Sequence, residues 1–151
     1  MLKFILLFFL ATPVYAFTGK VVSIADGDTL TVLVDRSQVR IRLADIDAPE
    51  KGQDFGDKSR QSLGELCHGK TATVSGGEQD RFGRTLGTVN CDGVDANAEQ
   101  VRRGMAWVFD RYAPKDSPLY SIQDAAKASR RGLWSDPNPT PPWQFRRGIR
   151  R

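Results

Sequence analysis

Histidine and cysteine are nearly absent. The 151-residue chain has one histidine, His68, and two cysteines, Cys67 and Cys91, with no Cys-x-x-Cys pair. It therefore offers no zinc-ligand cluster. His68, beside Gly69 at an expected helix end, reads as a favourable charge at a dipole terminus. Long apolar runs are missing too, since residues 4–11 fall well short of the ~20 residues that a spanning helix needs. No internal repeat or interdomain linker divides the chain, and its length suits one domain with its own core. Charged residues at 26% and hydrophobic ones at 40% exclude wholesale disorder.

The short apolar run has a different meaning at the N-terminus. Lys3 gives a basic start, residues 4–11 an apolar core, Pro13 a break, and Val14-Tyr15-Ala16 a small-residue cleavage pattern. Residues 1–16 read as a secretory signal, residues 17–136 as the folded domain and residues 137–151 as a Pro/Arg-rich tail. Cleavage removes Lys3 and no acid, so the net charge of +4 becomes +3. The mature protein is expected to be secreted or periplasmic, without stable membrane association. In an oxidising compartment an even cysteine pair points to a disulfide between Cys67 and Cys91, with two buried thiols as the alternative. A bridge closing ~25 residues restricts the unfolded chain by about 3.5 kcal/mol in the entropy account.

Along the domain, residues 18–24 and 29–34 have the β-branched character of strands, joined by the turn Asp26-Gly27-Asp28. A third strand follows residues 35–38. Residues 57–67 read as a helix stopped by Gly69, with Leu63 and Leu66 inward. Two more strands are expected over residues 71–75 and 85–90, then a tight turn at Asp92-Gly93. Asn97 with Gln100 resembles a capping box for a short helix closed by Gly104. A last helix starts at Ser117 and Pro118, turns Leu119, Ile122 and Ala126 inward, and ends at Arg130-Arg131-Gly132. The tail beyond Trp134, rich in proline and closing on Arg146-Arg147-Gly148-Ile149-Arg150-Arg151, is expected to be extended and partly mobile. Five short strands with interposed and following helices predict an α+β fold. A five-stranded β-barrel of the oligonucleotide-binding (OB) type with about three α-helices is its natural form.

Chemistry concentrates in residues 41–50, Ile-Arg-Leu-Ala-Asp-Ile-Asp-Ala-Pro-Glu. Val39, Ile41 and Leu43 alternate with Arg40, Arg42 and Ala44, giving one apolar face and one face that reaches a ligand. Pro49 ends the strand on a stiff turn, which gathers Arg42, Asp47 and Glu50. A guanidinium suits phosphate, and hard carboxylate oxygens suit a divalent cation. Taken alone, the decapeptide is equally a charged strand facing water.

Its neighbours make the pattern specific. Asp26-Gly27-Asp28-Thr29, Arg42-Leu43, Asp47-Ala48-Pro49-Glu50, Asp80-Arg81-Phe82-Gly83-Arg84 and Gly132-Leu133-Trp134, in this order, resemble the staphylococcal nuclease (thermonuclease) family. The resemblance runs from about Val21 to Trp134. It implies an OB-fold barrel and calcium-dependent hydrolysis of DNA and RNA at the bond between phosphorus and the 5′ oxygen, leaving 3′-phosphate ends. By that resemblance Asp28, Asp47 and the backbone carbonyl of Ala48 are calcium ligands, although family members often carry threonine at the Ala48 position. Arg42, Glu50 and Arg84 match the catalytic trio, with Glu50 either accepting a proton from water or positioning it. Arg81, Phe82 and Tyr112 match substrate-contacting positions. Phe82 lacks the phenol hydroxyl common there, and Asp110 stands where a second tyrosine can occur. Trp107 and Phe109 are either base-stacking rings or core anchors.

The function expected is thus a calcium-dependent, sugar-nonspecific endonuclease acting on DNA and RNA. The alternatives are a noncatalytic nucleic-acid-binding OB module and an exported basic adhesion or structural protein. A mature charge of +3 implies weak, salt-sensitive binding rather than tight sequence recognition. Protein partners leave no trace in the sequence.

Overall fold

Period-two alternation builds the sheet on which the rest is mounted. The computed structural model describes residues 15–149; the expected signal segment lies almost wholly outside them. Strand β1 (Ala16–Asp26) is followed by β2 (Thr29–Val34), β3 (Ser37–Leu43) and the short β4 (Ile46–Asp47). Helix α1 (Gly56–Cys67) precedes β5 (Thr71–Gln79), β6 (Thr85–Cys91) and β7 (Val94–Asp95). Then come α2 (Ala96–Arg102), β8 (Trp107–Val108), α3 (Leu119–Ala128), a 3-10 turn (Gly132–Ser135) and α4 (Pro142–Ile149). No helix among the described residues is long and apolar enough to cross a membrane.

Strands β3-β2-β1-β5-β6 run antiparallel side by side, and β6 then meets β3 in parallel, pairing Ile41 with Thr85 and Leu43 with Gly87. This closes a five-stranded barrel and removes the free edges that an open sheet would expose. Its interior is filled by Val21, Leu30, Val32, Ile41, Leu43, Val74 and Val89, all fully buried. Leu63 and Leu66 of α1 join the same core, as does Val101 of α2. The OB-type α+β architecture is as expected.

Two sequence expectations are corrected. The cap of α2 is Asp95, whose carboxylate accepts from the Ala98 amide at 3.0 Å, not Asn97. Asn97 and Gln100 lie on the buried face instead. Asn97 accepts from the Val89 amide (3.0 Å) and donates to the Ala44 carbonyl (3.0 Å), while Gln100 donates to the carbonyls of Gly27 (2.7 Å) and Ser59 (3.1 Å). Both amides satisfy backbone groups that the closing barrel would otherwise bury unpaired.

The second correction concerns the tail, which is a docked helix rather than an extended strand of prolines. Pro142 occupies the first turn, where a missing amide is harmless, and the amides of Gln144 and Phe145 bond to the Pro141 carbonyl. Tertiary contact supplies the stability that so short a helix lacks alone. Trp143 stacks on Phe109 with centroids 5.4 Å apart and meets Trp107 edge-on at 5.7 Å. Trp107 in turn packs on Trp134 at 4.3 Å, so of its two readings it is the core anchor. Trp134 is held by the tight apposition of Gly132, with φ 54°, against the Gly104 carbonyl, where a side chain would collide with backbone.

Cys67 and Cys91 form a disulfide, with Cα atoms 5.3 Å apart, joining the end of α1 to the end of β6. Replacing both by alanine should lower the free energy of unfolding in urea by about 3 kcal/mol, through loss of the constraint on the unfolded chain. Unchanged stability would show that the helix and barrel hold each other without the bridge.

Candidate active site

The register of β2 and β3 sets Thr29 opposite Arg42, and the Leu43 amide donates to the Asp28 carbonyl at 2.8 Å. The end of one strand thus lies against the start of the other. After Leu43 the chain reverses at Asp45, with φ 63°, and returns as β4, which pairs with β8. Arg42 fastens this reversal. Its Nη1 donates to the carbonyls of Leu43 (2.5 Å) and Ile46 (2.8 Å), and its Nη2 lies 3.2 Å from both Asp28 Oδ2 and Asp47 Oδ1. One guanidinium sits between two buried carboxylates.

Asp28 is held from several sides. Its Oδ2 accepts from the Ala48 amide (2.7 Å), its Oδ1 from the Thr29 hydroxyl (3.1 Å), and its own amide donates to Asp26 (3.1 Å). Gly27 makes the turn passable, since a Cβ there would collide with Ser59 of α1 and with Ala48. Ser59 and Gly27 are further tied through Gln100.

Negative charge exceeds what the protein neutralises locally. Burial and then the charge of Asp28 push the Asp26 carboxyl up to about 6. Burial also raises Asp47, and Asp28 adds to the rise, against the pull of hydrogen bonds and charge from Arg146 and Arg42. Such a cluster of hard oxygens fits a divalent cation. Among the described residues no three Asp, Glu, His or Cys side chains converge as a closed metal cage. The donors here are two carboxylates that line one open cleft, which suits a cation that also takes carbonyl, water and phosphate oxygens.

A second guanidinium comes from the β5–β6 connection. Asp80 Oδ1 accepts from the amides of Phe82 (2.9 Å) and Arg84 (3.0 Å), and its Oδ2 accepts from Arg84 Nε at 2.8 Å. Burial pushes the Asp80 carboxyl up, but these bonds outweigh it and hold the group below its ordinary range. Arg84 Nη1 also reaches the Thr29 hydroxyl at 3.4 Å. Thr29 therefore links the Arg84 side of the site to Asp28. Phe82, 64% exposed, lies under Arg81 and Arg84 at 4.7 and 5.5 Å.

All these groups open on one cleft of about 1720 Å³. Asp28, Arg42, Asp47, Ala48, Glu50 and Arg84 line its floor, and Arg81, Phe82 and Tyr112 also border it. Tyr112 is exposed and stands edge-on to Phe109 at 5.1 Å. Every residue expected from sequence at the catalytic, metal and substrate positions is brought here, while the disulfide is not among the lining. Sequence reasoning missed three groups. Asp80 orients Arg84, and its spacing of four from that arginine within a Gly-containing turn was the available signal. Gln53 accepts from the Glu50 amide (3.0 Å) and donates to the Thr140 carbonyl (2.7 Å). Arg146 of α4 bonds to Asp47 and Glu50.

Comparison with known proteins agrees with this geometry. The family model described as staphylococcal nuclease homologue matches residues 40–136. The chain is similar to the micrococcal nuclease of Shigella flexneri, 44% identical over an alignment of 151 positions that covers 93% of this chain and 87% of that protein. An uncharacterized endonuclease of Escherichia coli O157:H7 is 48% identical over 129 residues, 85% of this chain and 84% of its own. Protein ParB of Escherichia coli is 43% identical over 148 residues, with 91% and 84% covered.

Gly27→Ala tests the packing of the Asp26-Gly27-Asp28 turn directly. The added methyl overpacks against Ser59 and Ala48, so stability should fall by about 1–3 kcal/mol. A parental melting temperature would mean that α1 yields to the turn rather than positioning it.

Proposed function

Since the chain belongs to the staphylococcal nuclease family, we propose that it is a calcium-dependent endonuclease that hydrolyses DNA and RNA without sugar specificity. Cleavage is at the phosphorus–O5′ bond and leaves 3′-phosphate ends. The observation that carries this reading is the buried Asp28–Arg42–Asp47 constellation sharing one cleft with Glu50 and Arg84. A noncatalytic OB module has no need to bury two acids against an arginine at the mouth of its barrel, because unpaired burial of charge is costly.

Asp28, Asp47 and the Ala48 carbonyl are the ligands in this reading. Bound calcium supplies Lewis-acid polarisation of a phosphoryl oxygen. The two arginines divide their labour by how free they are. Arg42 spends its Nη1 and Nη2 bonds on carbonyls and carboxylates, so it holds the ligands in place and adds positive field at the phosphate. Arg84 is anchored mainly through Nε, which leaves Nη2 without a hydrogen bond among the described residues and turned to use on phosphoryl oxygens. Glu50, half-exposed at the turn after Pro49, accepts a proton from the attacking water or orients it. Phe82 offers a stacking face, Arg81 a phosphate charge and Tyr112 a hydroxyl on the cleft rim. Export to the periplasm or medium, after removal of residues 1–16, accords with the disulfide.

Turnover of plasmid and single-stranded DNA, with calcium and after chelation, tests the reaction. Within that assay Arg84→Lys keeps the charge but loses the planar fork. Its turnover should drop roughly a hundredfold to a thousandfold, the loss typical of one preorganised donor in a transition state. Arg102, exposed and paired with Glu99, is the control, and Arg102→Lys should turn over like the parent. Equal loss in both variants would point to general electrostatic binding, and full activity in chelator would dismiss the calcium assignment.

A further inference from the structure

The same carboxylates are held by a cation from the far end of the chain. Arg146 Nη2 donates to Asp47 Oδ2 at 2.7 Å, and its Nη1 donates to Asp47 Oδ1 at 3.1 Å and to Glu50 Oε1 at 2.5 Å. This is a forked pair with one acid and a third bond to the next, the strongest arrangement that a guanidinium makes with carboxylates. Asp47 and Arg146 are separated by 99 residues in sequence, so the contact depends wholly on how α4 is seated. Two features seat it: the Trp143 stack on Phe109 and the Gln53 to Thr140 hydrogen bond. Gln53 also receives the Glu50 amide, so the anchor of the tail and the backbone of the candidate base are one unit.

The geometry points to α4 as an autoinhibitory plug whose Arg146 competes with the metal for Asp47 and Glu50. The inference rests on the calcium reading above. A hard divalent cation needs a carboxylate oxygen at ~2.3–2.6 Å. The Arg146 fork engages both oxygens of Asp47, and its positive charge repels a second cation at the same seat. Metal entry therefore requires Arg146 to leave, and the measured affinity is the intrinsic one reduced by the fraction of molecules in which α4 is released. In the plugged state Glu50 is also engaged, so neither of its proposed duties toward water is open. The two positive groups beside Asp47 have different standing. Arg42 is fixed by two carbonyls of its own turn and remains, whereas Arg146 has its hydrogen bonds, among the described residues, only to the carboxylates.

Calcium titration calorimetry on the mature chain tests this, with hydrogen exchange of residues 142–149 as the second readout. Arg146→Ala should bind calcium about tenfold or more tightly than the parent. Arg146→Gln, which keeps most of the side-chain bulk, should behave alike and covers the case in which alanine unfolds the helix. Trp143→Ala, which leaves every charge in place but loosens α4, should also tighten binding, separating release of the helix from simple removal of charge. Arg36→Ala, in the turn at the opposite end of β3, should change affinity less than about twofold by the distance and screening between exposed charges. In the parent, saturating calcium should expose the α4 amides to exchange. Parental or weaker calcium affinity in the Arg146 variants overturns the plug, as does an α4 that stays protected at saturating calcium. Unchanged affinity with reduced turnover at saturating calcium would make Arg146 a phosphate contact instead. If the parent cleaves DNA with calcium while the variants bind it no better, the plug alone fails; if no form binds calcium, the calcium reading fails and takes the plug with it.

Discussion

The placement of Arg42 between Asp28 and Asp47 is the interaction on which the rest depends. Two acids buried at one end of a barrel repel each other, and burial alone pushes Asp47 toward its neutral form. The Arg42 guanidinium lies 3.2 Å from both carboxylates and opposes that push at Asp47, and the carbonyls of Leu43 and Ile46 fix it there. Those carbonyls belong to the reversal from β3 to β4, so the turn that ends the strand also sets the charge pattern. The barrel adds rigidity behind this arrangement. Parallel pairing of β3 with β6 holds Arg42 beside Leu86, and the β5–β6 connection brings Asp80 and Arg84 to the same rim. A site built on strand ends inherits the precision of the sheet.

Turns whose geometry is set by neighbours in sequence were legible in advance. Asp26-Gly27-Asp28, the Asp47-to-Glu50 turn and the Asp80-to-Arg84 turn each carry their own backbone logic, and their resemblance to one family joined them before any coordinates did. Helix α1 and the Asp92-Gly93 turn were legible for the same reason. What could not be read were polar groups whose partners are distant. Asn97 and Gln100 had the spacing of a capping box, but the barrel claimed their amides, and Gln100 reaches a carbonyl 73 residues away. Local propensity gave way there to the need to satisfy buried backbone groups.

The tail shows the same limit from the other side. Its prolines argue for an extended chain until Pro142, where the residue type that breaks helices in the middle begins one. Trp143 then gains the aromatic surface of Phe109 and Trp107, which no local pattern announces. The cluster of rings also accounts for Trp107, whose half-buried place between Trp134 and Trp143 makes it a support for the cleft. Phe82 and Tyr112, each 64% exposed, are the rings left facing the solvent side of the same cleft. Modest net charge accords with a surface that engages a flexible phosphate chain loosely and depends on one concentrated site for its chemistry.

The central claim is that the buried carboxylates are there to hold calcium, and it is tested most directly by measuring calcium binding to Asp28→Asn and Asp47→Asn beside the parent. Each substitution keeps the side chain's shape and removes one charge. The account predicts that the parent binds one calcium ion and that each variant, confirmed as folded by its melting curve, binds it more than about a hundredfold more weakly, beyond the range seen when only a partner of a ligand is lost. Parental calcium affinity in both folded variants would contradict it.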